Sequence, residues 1–410
     1  MCKMKQILFV DDEPRVLEGL RRMLRPMRDE WNMTFVTSGP DALDMLAQAP
    51  FEVVVSDMRM PGMDGAQLLN EVHRRYPHIV RIVLSGQSDQ VLIYRSIEAT
   101  HQYLGKPCDA DILKQMVMRA CALREALASD TLRAVVAGMQ QIPSRPSLYD
   151  EIRKEAASEH ASLKTLGAII SKDMGMTAKI LQLANSAYFG LRRNVTTPEQ
   201  AVNMLGLDTI QALVLTVQVF SSFPSGGDSF ISMDRLWTES LEAGALARAI
   251  AKAEQASAVM ADQAYIAGLL HDVGTLVFVA NVREQYNAAF SAAHDKNLTL
   301  SELERQEFGA THAEIGAHLL RLWGLVDPIV EAVAFHHCPG ECIGETFSPL
   351  TAVHVANALL REQSAQGGAN MQSEIDLAYL DKLHMTDRLE YWREVASTVQ
   401  REGKKESKHG

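Results

Sequence analysis

The sequence predicts an α/β domain, a doubly wound parallel sheet of five strands, followed by an all-α region. Three observations carry this. From residue 6 to about 122, short apolar runs alternate with segments of helical period, the pattern of a parallel sheet with helices on both faces. After about residue 125 the strand signal stops, and amphipathic helices rich in Ala and Leu follow, separated by Gly, Pro, Asn and Asp. The 410 residues are too many for one ordinary core, so two or three domains are expected.

The first strand is read over 6–10, where Ile7-Leu8-Phe9-Val10 closes on Asp11 and Asp12. A helix over 14–27 and a strand over 33–37 follow, then a helix over 40–48. The third strand, 52–56, ends in the lone carboxylate of Asp57 and breaks into Met60-Pro61-Gly62-Met63-Asp64-Gly65. Helix 65–75, strand 79–84, helix 88–98, strand 102–104 and helix 109–122 complete the pattern. In such sheets the working residues gather at the carboxyl ends of strands. Asp11, Asp12, Asp57, Ser85 and Lys106 all fall there.

Leu113, Met116, Ala120, Leu123 and Leu127 keep a helical spacing, so the last helix is expected to run on toward residue 139. Ile142-Pro143-Ser144-Arg145-Pro146 then breaks it. The domain reading is 1–122 for the sheet domain and 123–146 for a helical linker. A helical domain over 147–400 has its core at about 147–340 and C-terminal helices at 347–400, with a disordered tail over 401–410. Ser222 to Asp228 is the clearest internal loop, and Gln363 to Gly368 a softer break.

The net charge is −11 and no long basic run occurs, which disfavours a nucleic-acid partner. The short helices and turns of 175–215 carry few basic residues (Lys179, Arg192, Arg193) and read as packing scaffold rather than a DNA reader. Five cysteines, an odd number and mostly far apart, fit reduced thiols in a cytosol. No apolar signal segment opens the chain, and no stretch reads as a membrane span; Leu213 to Phe220 is broken by Thr216 and Gln218. The expectation is a cytoplasmic protein without membrane contact.

Carboxylates and a lysine at strand ends are what a Mg²⁺-dependent phosphoryl acceptor needs. The acceptor's own charge repels the incoming group, so a hard cation must sit beside it. Asp12 and Asp57 would ligate Mg²⁺, Asp11 would assist through water, and the Arg59 carbonyl would complete the set. Lys106 would pair with phosphoryl oxygens and Ser85 would donate its hydroxyl to one.

On Asp11-Asp12-Glu13-Pro14, Asp57 with Met60 to Gly65, Ser85-Gly86 and Tyr103-Leu104-Gly105-Lys106-Pro107, residues 4–122 resemble the flavodoxin-like receiver domain of bacterial two-component response regulators. The resemblance implies that Asp57 takes a phosphoryl group from a sensor histidine kinase or phosphotransfer protein. It also implies that Tyr103 turns inward when Ser85 moves.

Downstream, Ala264 to Gly274 is an apolar helix ending in His271-Asp272, a pair able to grip a metal from one side. His312 and His336-His337 follow. The segment resembles the HD superfamily of metal-dependent phosphohydrolases, and more closely the HDOD group, a related output domain regarded as non-catalytic. That resemblance spans about 140–340. It rests on Ile142-Pro143 with Pro146 to Tyr149, Ala178 to Gly190, Ala201 to Gly206, Gly268 to Asp272 and Leu319 to Leu325.

A working HD site needs an earlier histidine and a late aspartate. No histidine lies between His160 and His271; Trp237-Thr238-Glu239-Ser240 stands where the family often has a histidine, and Asn357 where the aspartate would be. The Gly-Tyr-Pro motif of the cyclic-dinucleotide branch is absent after His337. His271, Asp272, His312, His336 and His337 are therefore read as a remnant metal site, its transition metal left open.

The bland reading has His271 and Asp272 bonding each other at helix ends and His336 and His337 exposed at another. Cys338 and Cys342 make at most half of a zinc clip.

The resulting reading is a response regulator whose non-catalytic helical output binds a downstream signalling protein. Whether it forms a homodimer is open. The alternative is a phospho-regulated phosphohydrolase that acts on a nucleotide or cyclic dinucleotide through Fe, Mn or Zn.

Overall fold

The structure, a computed structural model, describes residues 4–85, 99–106, 110–126, 146–185, 195–211, 232–296, 299–342, 344–364 and 374–406, with a few isolated positions between them. Apart from Ser96 and Met139, the expected helix 88–98, the extension from 127 toward 139 and the Ser222–Asp228 loop lie outside the described residues.

The sheet domain runs β1 (Lys5–Val10), α1 (Pro14–Met23), β2 (Trp31–Val36), α2 (Gly39–Gln48), β3 (Val53–Asp57), α3 (Gly65–Arg75), β4 (Val80–Ser85), β5 (Gln102–Gly105) and α4 (Ala110–Ala126). The five strands are parallel in the order β2-β1-β3-β4-β5. Ile7, Leu8, Val53, Val54, Ile82 and Val83 are fully buried. Sheets covered on both faces need such unbroken apolar strands. The first helix is shorter than its apolar period: it stops at Met23, and a 3₁₀ turn takes Arg25–Met27 around Pro26, which has no N–H to continue the ladder. The second strand begins earlier than read, at Trp31, whose ring is buried.

The chain winds from β1 outward to β2 and then crosses back to β3. The switch point therefore lies between the carboxyl ends of β1 and β3. Val10 pairs with Ser56, Asp57 with Leu84 and Ser85 with Gly105. This register sets Asp11, Asp57, Ser85 and Lys106 in one layer at that edge.

The helical region begins with α5 (Pro146–Ala156), α6 (Leu163–Ile170), α7 (Met174–Ala184), α8 (Pro198–Leu205), α9 (Leu207–Gln211), α10 (Met233–Ala253) and α11 (Ala258–Leu270). It continues with α12 (Val273–Asn281), α13 (Arg283–Lys296), α14 (Leu300–Phe308), α15 (His312–Leu322), α16 (Asp327–Phe335), α17 (Pro349–Ser364), α18 (Leu377–Lys382) and α19 (Leu389–Glu406). Side-chain caps start many of them: Ser162, Asp173, Thr197, Ser232 and Ser257 each accept a backbone N–H of the first turn. Thr299 with Glu302 and Thr311 with Glu314 form full capping boxes on α14 and α15.

Two sequence expectations change. Ala258–Asn281 is long and apolar enough to cross a membrane by composition, but 78% of its apolar window is buried inside the protein, and the run turns at His271-Asp272 into two helices. Its apolar content is that of a core element packed on all sides. The tail expected to be disordered from 401 is helical to Glu406, because Arg, Glu and Lys favour a helix and outweigh Gly403.

The two regions touch. The side chain of Gln102, at the start of β5, donates to the carbonyl of Leu322 at the end of α15. Gln182 of α7 donates to the carbonyl of His101 at 3.2 Å. α4 packs against α15.

Candidate functional site

At the switch point, Asp57 closes β3 and is 7% exposed. One carboxylate oxygen accepts the Arg59 N–H at 2.8 Å, and the other pairs with Lys106 Nζ. The same ammonium reaches Asp11 Oδ2 at 2.8 Å, while Asp11 Oδ1 accepts the Glu13 N–H at 2.9 Å. Asp12, next in sequence, is half-buried. Gly65 lets the start of α3 close onto the acceptor strand: a Cβ there would stand 2.1 Å from the Asp57 carbonyl oxygen.

Burial lifts the Asp57 carboxyl above its ordinary pKa against the pull of Lys106, and Asp11 adds to the rise. Lys106 is held above its ordinary value by the two carboxylates although burial opposes its charge. An excess of negative charge at hard oxygens is what a divalent cation relieves, so the residues present fit Mg²⁺. Ser85 is buried, and its hydroxyl has no hydrogen-bond partner among the described residues. Tyr103 is already turned inward, 3% exposed, with its hydroxyl 3.3 Å from Ser96 Oγ.

The second cluster lies in the helical region. His271 ends α11 and Asp272 begins α12, so one tight corner presents both. His312 is the first residue of α15, and His336 and His337 follow α16. Asp272, His312, His336 and His337 have ligand atoms within 4.8 Å of one another, and His271 Nε2 is 3.1 Å from Asp272 Oδ2. The structure thus brings together all five residues singled out in the sequence. His271 and Asp272 do face each other, as the bland reading had it, but Asp272 makes no side-chain cap. His336 is buried rather than exposed at a helix end.

Three imidazoles share one orientation. The Nδ1–H of His271 donates to the Gly268 carbonyl at 2.7 Å, that of His312 to Glu304 Oε2 at 2.7 Å, and that of His336 to the Val333 carbonyl at 2.9 Å. Each ring therefore turns Nε2 toward Asp272, at 3.1, 3.2 and 3.9 Å. The Nε2 of His336 is buried and has no hydrogen-bond partner among the described residues. Anchored Nδ1–H groups with converging Nε2 atoms are the arrangement in which proteins hold metal-ligating histidines. The residues present fit a divalent transition metal. Glu239 does not join them: it pairs with Arg235 on the surface of α10, while Asn357 lines the cavity. Cys338 and Cys342 stand outside the cluster. Burial and Glu341 push the Cys338 thiol up to about 11, and Cys342 bonds Glu331 at 3.1 Å.

Two supporting residues escape sequence reasoning. Glu304, fully buried on α14, accepts the His312 ring and backbone N–H groups and the Tyr286 hydroxyl. Its signal is positional: Leu300, Glu304 and Phe308 fall at i, i+4 and i+8, so an acid occupies the apolar stripe. His354 donates from Nδ1 to the His336 carbonyl at 2.8 Å and holds the turn that carries the paired histidines.

Burial pulls the His312 pKa down, but Glu304 and Asp272 overcome this and hold it at about 10. Burial raises the Asp272 carboxyl, yet His271 and His312 drive it well below the carboxylate range. An imidazolium is thus set between two carboxylates. Its folded-state pKa lies above the ordinary 6.5, so its stabilisation is complete below pH 6.5 and is lost as pH climbs toward 10. Glu304→Gln is expected to cost about 3 kcal/mol at pH 7. It should also flatten the fall of stability across that pH window. Urea unfolding of both proteins from pH 6 to 10 checks this; parallel curves would refute the charge assignment.

A cavity of about 830 Å³ opens beside the cluster. His312, His336 and His337 line it, together with Arg305, Arg321 and Arg361.

Comparison with known proteins adds the following. Residues 7–118 match the response regulator receiver domain model, and residues 142–339 match the HDOD domain model. An uncharacterized protein of Treponema pallidum is 30% identical over 223 residues, 54% of this chain and 43% of that protein. The hydrogenase transcriptional regulatory protein HoxA of Cupriavidus necator is 38% identical over 120 residues, 29% of this chain and 24% of that one. The chain spans less than half the length of these curated relatives. Among solved structures, the MmoQ response regulator of Methylococcus capsulatus is 22% identical, covering 62% of this chain and 98% of that one with a TM-score of 0.48.

Proposed function

Since this chain joins a response regulator receiver domain (residues 7–118) to an HDOD domain (residues 142–339), we propose that it is a phosphorylation-switched binding protein. The observation that carries this is Asp57, a buried carboxylate at the sheet's switch point shared with Asp11 through Lys106. An oxygen of Asp57 attacks the phosphorus of a phosphorylated histidine on a sensor kinase or phosphotransfer protein. The P–N bond breaks, the histidine takes up a proton, and an acyl phosphate forms. Asp11, Asp12, Asp57 and the Arg59 carbonyl would hold Mg²⁺, which would supply charge neutralisation on the transferred group. Lys106 then pairs with phosphoryl oxygens, and the Ser85 hydroxyl, which has no partner among the described residues, donates to another.

The helical domain reads this change as a binding module in the cytoplasm, without catalysis of its own, and engages a downstream signalling protein. Neither nucleic acid nor membrane is required. Affinity capture with the beryllofluoride-loaded and unloaded chain, quantified by mass spectrometry, tests it. A partner enriched in only one state, with the difference lost in Asp57→Asn, supports the reading; identical capture in both refutes it.

A second reading is favoured by the converging Nε2 atoms. A transition metal held by His271, Asp272, His312, His336 and His337 would supply a Lewis acid beside the cavity, as a phosphohydrolase of nucleotides or cyclic dinucleotides needs. Titration with MnCl₂ or ZnCl₂ checks metal binding. At a hundredfold excess over Kd the chain should gain about 2.7 kcal/mol of stability, and His336→Ala should abolish the gain. Turnover of a phosphodiester by the loaded protein would favour this second reading over the first.

A further inference from the structure

We propose that β5 and α15 together form one load path by which the state of Asp57 regulates the histidine cluster of the helical domain. The inference rests on the reading of Asp57 as phosphoacceptor and names the regulation of the second site.

β5 is a four-residue strand whose two ends do different things. Beyond its carboxyl end, Lys106 grips Asp57 and Asp11. At its amino end, Gln102 donates to the Leu322 carbonyl, one of the carbonyls that a helix leaves without an internal partner. Gly324, in the left-handed region at φ 80°, turns the chain away immediately beyond, and its place beside the Gln102 amide leaves 3.0 Å for a Cβ. The span from Lys106 to Gln102 is about 13 Å of extended chain. From Leu322, α15 runs about 15 Å back to His312. Two rigid elements joined by one hydrogen bond therefore connect Asp57 to His312, which lies between Asp272 and Glu304.

The joint is braced on both sides. His101, just before β5, gives its carbonyl to Gln182 of α7 and receives the Arg81 N–H on Nδ1 at 3.0 Å. The Arg81 guanidinium, fully buried, donates to the carbonyls of Ala99, Ile79 and Pro77, so the turn into β5 is fixed to β4. On the helical side, Lys179 of α7 lies 5.6 Å over the Trp323 ring. A shift of β5 that follows Lys106 has no slack to absorb it before α15. Coupling is reciprocal, so occupancy of the cluster would bias the receiver in turn.

The test is hydrogen exchange on the full chain, with and without beryllofluoride and Mg²⁺, in the parent, Gln102→Ala and Gln182→Ala. In the parent, exchange should change within 80–85 and 102–106 and also by about fivefold in the first turn of α15, the low end of ordinary coupling. Gln102→Ala should keep the receiver response and lose that of α15; Gln182→Ala, which loosens only the brace, should weaken it. A receiver that responds while α15 stays silent overturns the path and leaves Asp57 as acceptor. An α15 response undiminished in both variants overturns the path as well. A receiver that does not respond at all overturns the acceptor assignment and the path with it.

Discussion

Asp57→Asn is expected to stay at its unmodified mass after incubation with acetyl phosphate and Mg²⁺, while the parent chain should gain one phosphoryl group. The amide cannot form an acyl phosphate, so the expected effect is loss to background rather than a graded decline. Asp11 and Asp12 are the conceivable substitutes. Asp11, 1% exposed, already accepts the Glu13 N–H and the Lys106 ammonium, which leaves it poorly placed for in-line attack. The substitution is nearly isosteric and keeps an acceptor for the Arg59 N–H, so the fold should persist. Intact-mass spectrometry reads the result, and a phosphorylated Asp57→Asn chain would place the acceptor elsewhere.

The second large effect is on stability. Gly274→Ala should cost about 3 kcal/mol, the upper end for overpacking a filled interior. At this position α12 crosses α15 backbone to backbone, and a Cβ would stand 1.9 Å from the His312 carbonyl oxygen and 2.9 Å from the Gly316 nitrogen. Neither is a side chain that can rotate away. Gly316→Ala, on the other side of the same crossing, makes the contrast. Its Cβ would meet the Val273 Cγ1 at 2.9 Å and the Gly274 nitrogen at 3.1 Å, so a rotamer change relieves part of the clash. Its net cost should be about 1 kcal/mol, because alanine also favours a helix. Urea midpoints with unchanged m-values check both. Equal costs for the two would show that the crossing is looser than its backbone distances require.

The receiver was legible in the sequence because its chemistry sits where strand periodicity says strands end. Asp57 closes an apolar run, and register alone then sets it beside Asp11, Ser85 and Lys106. The His271-Asp272 pair was legible for a similar reason, as two polar residues closing an apolar helix. Glu304 was not. It shares a stripe with Leu300 and Phe308, but Glu302, Arg305 and Glu307 around it make it read as one more surface charge, and its meeting with His312 appears only with the fold. The exclusion of Glu239 from the cluster was also beyond the sequence, since which face of α10 it occupies depends on helix packing. Arg81 interrupts the apolar strand Val80-Arg81-Ile82-Val83-Leu84, but its carbonyl ligands come from 77, 79 and 99 and appear only with the fold.

The Gly274–Gly316 crossing has a mechanical corollary. Where two backbones touch there is no layer of side chains to shear, so the least hindered motion of α15 is a pivot at the contact, near residue 314. His312 is about 3 Å along the axis from that fulcrum and Leu322 about 12 Å on the other side. The helix is then a lever with unequal arms. A 4 Å displacement at the receiver end arrives at the imidazole as about 1 Å, reversed in direction and gained in force. One ångström is enough to open the 2.7 Å bond between His312 and Glu304.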